Sequence, residues 1–285
     1  MKAILFNLSA WIFLPVMDGF AKYLSADLPV LQITWARYFF TVAFTLPIMF
    51  IFYKKQLVWT DKPKLQFIRG LILLCANISF FYAISVISLA KALTLAFVAP
   101  LIVTAFSPIL LGEKVGVRRW MAVTIGFIGS LIVIRPGFVE LNLASFAALN
   151  TGVMYGFYLI ITRKLSKFDN PLLTLLLTGL VGCFIVSFLM PFVWVKPTPN
   201  QWFMMAAIGI FACIGHLFLI LSLKYADASK LAPFSYFEII TNIIIGYYFF
   251  NNFPDNWTFL GLFIIISSGI YISRRETIII RHKLL

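Results

Sequence analysis

About ten apolar stretches follow one another along this 285-residue chain, each near the ~20 residues a helix needs to cross the hydrocarbon core of a bilayer. They run over residues 3–24, 30–53, 66–87, 89–111, 118–135, 142–163, 170–193, 201–223, 228–251 and 256–273, numbered here as segments 1 to 10. Hydrophobic residues make up 62% of the chain and charged residues 12%, against about 25% charged in a soluble domain. A soluble protein of this length could not cover so much apolar surface. The fold class expected is therefore an all-α polytopic membrane protein, with lipid as its solvent. The run from Met1 to Leu24 has no small-residue cleavage site ahead of a soluble domain and is expected to be the first helix, not a removed signal. Cys75, Cys183 and Cys213 all lie in apolar stretches with no metal-ligand spacing, so they are expected as buried thiols.

The net charge of +13 would suggest nucleic acid in a soluble protein. Here the basic residues fall between apolar segments, which points to membrane topology and away from a nucleic-acid partner. With both termini in the cytoplasm, the inside segments hold Lys2; Lys54, Lys55, Lys62, Lys64 and Arg69; Lys114, Arg118 and Arg119; Arg163, Lys164 and Lys167; Lys224 and Lys230; and Arg274, Arg275, Arg281 and Lys283. The outside segments hold Lys22, Lys91, Arg135 and Lys196, and Arg37 lies within segment 2. The positive-inside rule then predicts cytoplasmic termini.

Two halves, 1–137 and 138–285, resemble each other weakly. Val16-Met17-Asp18-Gly19-Phe20 in segment 1 matches Val153-Met154-Tyr155-Gly156-Phe157 in segment 6, and one offset pairs Lys91 with Lys230 and Asn77 with His216. With five segments in each half, an odd number, the second copy must enter the membrane from the opposite side. Ten transmembrane helices as two inverted five-helix repeats are expected, with a binding site near the midplane between the halves.

Ionisable groups in a bilayer are costly and face a cavity or a partner. Asp18 and Lys22 are four apart in segment 1 and can pair, either as a local ion pair or as an outer gate. Arg37, flanked by Trp35 and Tyr38, either snorkels to headgroups or binds a carboxylate or phosphate. Lys91 and Lys230 are gates or helix-end anchors. Glu238 is the deepest acid and can hold a cation or a proton. Asn77, Asn150 and His216 serve a substrate or link helices, and Tyr82, Tyr155, Tyr158 and Tyr236 can line a cavity. Pro100, Pro108 and Pro233 are expected to bend segments 4 and 9 around it. Segments 5 and 10, carrying hardly any charge within their spans and rich in Gly and Ser, are expected as outer supports. No catalytic constellation, metal cluster or cofactor motif is present, so an enzyme is not expected.

Asp18-Gly19-Phe20-Ala21-Lys22-Tyr23-Leu24, Gln32 to Arg37, the Leu111-Gly112-Glu113 turn, Ala232-Pro233-Phe234-Ser235-Tyr236 and Ser273-Arg274-Arg275-Glu276 carry a resemblance over nearly the whole chain. It resembles the drug/metabolite transporter superfamily, EamA type, in the branch that includes bacterial S-adenosylmethionine uptake proteins and riboflavin importers. The counterpart turn near Asn251-Asn252 lacks the glutamate and departs from the pattern. The resemblance implies a cavity lined by segments 1–4 and 6–9. The expected function is a secondary transporter of a small polar metabolite such as S-adenosylmethionine. Alternatives are a riboflavin-type importer, an amino-acid or drug exporter and, from another class, a lipid scramblase. The expected partners are the substrate and the bilayer, and the sequence leaves a homodimer open.

Overall fold

The computed structural model describes residues 2–52, 60–87, 89–134, 142–250 and most of 256–271, and every regular element among them is helical. In chain order these are α1 (Lys2–Leu24), α2 (Val30–Phe52), α3 (Pro63–Val86), α4 (Leu89–Ala96), α5 (Ala99–Leu111), α6 (Val117–Ile134), α7 (Leu143–Leu165), α8 (Pro171–Ser187), α9 (Met190–Val193), α10 (Pro199–Tyr225), α11 (Ala228–Leu231), a 3₁₀ stretch (Ala232–Phe237) and α12 (Glu238–Phe250). α1, α2, α3, α7 and α10 are long and apolar enough to cross a membrane. An α-helix satisfies its backbone internally, as a lipid-embedded segment must.

Segments 4 and 9 break instead of bending. α4 ends at Ala96 and α5 begins at Ala99, with Pro100 in its first turn. Pro100 has no N–H to give the Ala96 carbonyl, so the ladder stops there. In the second half the chain runs through α11 and the 3₁₀ stretch, which contains Pro233, before α12 resumes at Glu238. Segment 7 likewise divides into α8 and the short α9.

The packing partners repeat when the halves are exchanged. α1 packs on α10 and α7 packs on α3; α2 packs on α10 and α8 on α3; α2 and α8 pack on each other. The broken pair α4–α5 lies against α7, and the 3₁₀ stretch with α12 lies against α1. Stacked rings run down the α1–α10 seam, with Phe6 on Phe218 and Phe13 and Phe20 on Phe211. At the end of the bundle away from the start of α1, Trp35, Trp194 and Trp202 form a ring cluster, as at a membrane–water interface.

Glycine decides how closely α7 meets the α4–α5 break. A Cβ on Gly152 would lie 2.5 Å from the Ala96 carbonyl oxygen, and one on Gly156 would lie 2.7 Å from Ile102 Cγ2. This small-xxx-small pair lets two backbones touch. Gly152→Val should therefore force the break off α7 and cost about 1–3 kcal/mol. The expected readout is a melting temperature lowered by several degrees in detergent, or loss of a monodisperse peak. Gly116→Ala, where a Cβ meets nothing within 4 Å, should leave both unchanged.

Candidate functional site

The two helix breaks face each other across a cavity near the middle of the bundle. Its walls come from Trp11, Leu14, Met17 and Asp18 of α1; Ala76, Asn77 and Phe80 of α3; Leu93 to Pro100 around the first break; Thr151, Tyr155 and Leu159 of α7; His216 of α10; and Ser235 and Glu238 at the second break. Counted out into the space beyond its open mouth it spans about 680 Å³. Trp11, Phe80, Phe97 and Tyr155 give it aromatic walls, with Trp11 edge-on to Tyr155.

Asp18 and Glu238 are the two acids of this cavity. Neither carboxylate takes a hydrogen bond or an ion pair from a described residue. Carboxyl groups left so inside an apolar bundle have their acceptor capacity available for a ligand. Asp18 does not pair with Lys22, although one helical turn separates them. The Lys22 ammonium instead donates to the Ile84 and Ile87 carbonyls at the end of α3, which anchors α1 to α3.

His216 separates this cavity from a smaller lateral one lined by Arg37, Tyr38, Thr41, Leu73, Tyr158, Thr178 and others of α2, α3, α7, α8 and α10. Arg37 is buried and does not snorkel. Its Nη2 donates to His216 Nε2 at 2.6 Å. A guanidinium can only donate, so His216 Nε2 accepts and the ring proton sits on Nδ1. That Nδ1–H points at the Tyr158 hydroxyl, 3.0 Å away. Tyr158 also accepts from Arg69 Nη2 at 2.8 Å. A polar chain Arg37–His216–Tyr158–Arg69 thus crosses the apolar interior. Asn77 joins at the edge by donating to the Tyr38 hydroxyl at 2.7 Å.

Of the residues singled out in the sequence, Asp18, Asn77, Tyr155, His216 and Glu238 meet at the main cavity, and Arg37, Tyr38 and Tyr158 at the lateral one. Three of the expected binding residues line neither. Tyr236 is fully buried and donates its hydroxyl to the Val123 carbonyl, locking the 3₁₀ stretch on α6. Asn150 donates to Ser79, joining α7 to α3. Tyr82 sits half-buried near the end of α3, past the last cavity-lining position of that helix. Lys91 lies on α4, and its side chain is outside the described residues. Lys230 forms an ion pair with Asp227 at 3.0 Å.

Arg69 was grouped with the inner loop charges but is fully buried two turns inside α3. There it donates to Thr162 and Tyr158 of α7 and to the Thr174 carbonyl and the Thr178 hydroxyl of α8. Helical spacing carried the signal: Gln66, Arg69 and Asn77 fall on one face.

At the end of the bundle where α1 begins, Glu113 accepts from the Ala228 and Ser229 amides at 2.9 and 3.0 Å and from the Ser229 hydroxyl at 2.7 Å. Arg163 lies 3.6 Å from Glu113 and 3.0 Å from Asp227. These contacts tie the ends of α5, α7 and α10 to the start of α11.

A profile for the EamA-like transporter family matches residues 1–135 and again residues 142–274. Curated relatives include an S-adenosylmethionine uptake transporter of Rickettsia prowazekii, 24% identical over 94% of this chain and 92% of the relative. Its counterpart in Rickettsia bellii is 28% identical over 91% and 89%. A riboflavin transporter of Vibrio cholerae is 25% identical over 97% and 94%. A protein solved by crystallography superposes with a TM-score of 0.80 at 16% identity, over 96% of this chain and 98% of that one, which shows a shared fold. With the profile covering nearly its whole length, this multi-pass membrane chain belongs to the EamA-like transporter family.

Proposed function

We propose that the protein is a bacterial inner-membrane carrier that takes up or exchanges S-adenosylmethionine or a similar amphipathic zwitterion by alternating access. The observation that carries this is the pair of unpartnered carboxyls, Asp18 and Glu238, in a cavity walled by Trp11, Phe80, Phe97 and Tyr155. A sulfonium or ammonium is held by carboxylates and by aromatic faces, and a purine ring can stack on the same walls. The names of the Rickettsia relatives point the same way. The aromatic walls also favour a second reading, a flat ring system such as riboflavin, which the Vibrio cholerae relative's name supports.

The same proposal takes the halves 1–137 and 138–285 as inverted repeats and the termini as cytoplasmic. Support comes from the doubled family match, the exchange symmetry of helix partners and the two facing helix breaks, a recurring design for midplane sites. The Glu113–Arg163–Asp227–Lys230 cluster then serves as the cytoplasmic gate, closed in this structure. Burial pushes the Asp227 carboxyl up, but the hydrogen bond and charge of Lys230, with Arg163, outweigh it and hold the group below the usual carboxylate range. A depressed acid contributes its stabilisation above the unfolded value and loses it only as pH falls through the folded one.

Radiolabelled uptake into proteoliposomes tests the substrate. Saturable S-adenosylmethionine uptake is expected, falling roughly tenfold or more in Glu238→Gln, the effect of one charge-assisted contact. Saturable riboflavin uptake that survives Glu238→Gln, without S-adenosylmethionine uptake, would replace the first reading by the second. For the gate, Ser235→Cys in a background lacking Cys75, Cys183 and Cys213 reports access to the second break. Glu113→Gln should raise its labelling from the cytoplasmic face by roughly tenfold, a shift of about 1.4 kcal/mol. Because the Asp227 value is depressed, the unmodified gate should stay closed at pH 7 and at pH 5, its labelling unchanged relative to that of a freely exposed cysteine at the same pH.

A further inference from the structure

The lateral cavity holds an excess of positive charge that the transport reading does not use. Arg37 and Arg69 are 2% and 0% exposed, and neither forms an ion pair with a described carboxylate. Every hydrogen-bond partner of Arg69 is neutral: two threonine hydroxyls, one carbonyl and one phenol. Among the described residues Arg37 meets the Met17 sulfur, His216 Nε2 and the Tyr38 ring and hydroxyl, none of them an anion. Asp18 acts on Arg37 only through space, from the main cavity. Two guanidiniums so placed are costly unless something negative joins them.

We propose that the lateral cavity beside Arg37, Tyr38 and Thr178 is an anion site, taking a carboxylate or a chloride-sized ion on the Arg37 guanidinium. Arg69 supplies the second positive charge through Tyr158, and the Tyr38 hydroxyl, which accepts from Asn77, keeps its own proton to donate. A free inorganic anion and the carboxylate of a zwitterionic substrate share this chemistry. His216 borders both cavities, so a substrate with its cationic part between Asp18 and Glu238 can extend its carboxylate past the imidazole. Only that second source rests on the function proposed above.

Thermal stability of the purified full-length protein in detergent gives the first arm. At constant ionic strength, replacing bulky gluconate by chloride or acetate should raise the melting temperature by several degrees. The rise should persist in Arg37→Lys and vanish in Arg37→Gln. The second arm compares binding of S-adenosylmethionine with that of its methyl ester. If the occupant is the substrate's own carboxylate, the ester should bind roughly tenfold more weakly, and Arg37→Gln should erase the difference. Should Arg37→Gln fail to give a monodisperse protein, Tyr158→Phe, which removes only the link to Arg69, should weaken either response severalfold. A chloride or acetate response without any S-adenosylmethionine binding keeps the site and sinks the substrate. If neither arm depends on Arg37 or Tyr158, the anion site is wrong.

Discussion

In hydrocarbon there is no water to take up an unpaired polar group, and each such group costs several kcal/mol. This constraint shapes the whole molecule. Two interruptions of the helical ladder, in segments 4 and 9, gather at one place. The Ala96 carbonyl, freed by Pro100, is met by the bare backbone of Gly152. The 3₁₀ stretch around Pro233 is held by Tyr236 on the Val123 carbonyl. Irregular backbone is tolerated at membrane depth where it is buried in protein or lines a cavity, and here the two breaks form facing walls of the same cavity.

The same constraint sorts the charges. At the end of the bundle where α1 begins, acids and bases pair directly: Glu113 with Arg163, and Asp227 with Arg163 and Lys230. In the middle they do not. Asp18 and Glu238 sit on one side of His216, and Arg37 and Arg69 on the other. A structure serving stability alone would join these opposite charges, because breaking or omitting a partner leaves an uncompensated buried ion. Keeping them apart leaves a divided interior, with carboxyl acceptors on the main-cavity side and guanidinium donors on the lateral side. A molecule carrying both signs of charge complements that division.

His216 is the hinge of this arrangement in chemical terms. Arg37 donates to one ring nitrogen, so the other must donate to Tyr158, and the tautomer follows from geometry. Tyr158 in turn accepts from Arg69. Orientation thus passes from α2 through α10 and α7 to α3 by directed hydrogen bonds, and the side chains bordering the two cavities hold their positions together.

The apolar segments that form the long helices α1, α2, α3, α7 and α10 were legible in the sequence, because helix length is a local property that a bilayer reads directly. Asp18, Asn77, Tyr155, His216 and Glu238 were legible as cavity residues for the same reason: a polar group in an apolar run must face something other than lipid. What each one faces was not. Lys22 could have met Asp18 one turn away, yet it caps α3. Tyr236 could have lined the cavity, yet it packs on α6. Arg69 looked like a loop charge and is wholly enclosed. Helical periodicity assigns a residue to a face but not to a neighbour. Only the tertiary packing, through close approaches such as Gly152 on Ala96, decides which faces meet, and so which charges pair and which remain open to a ligand.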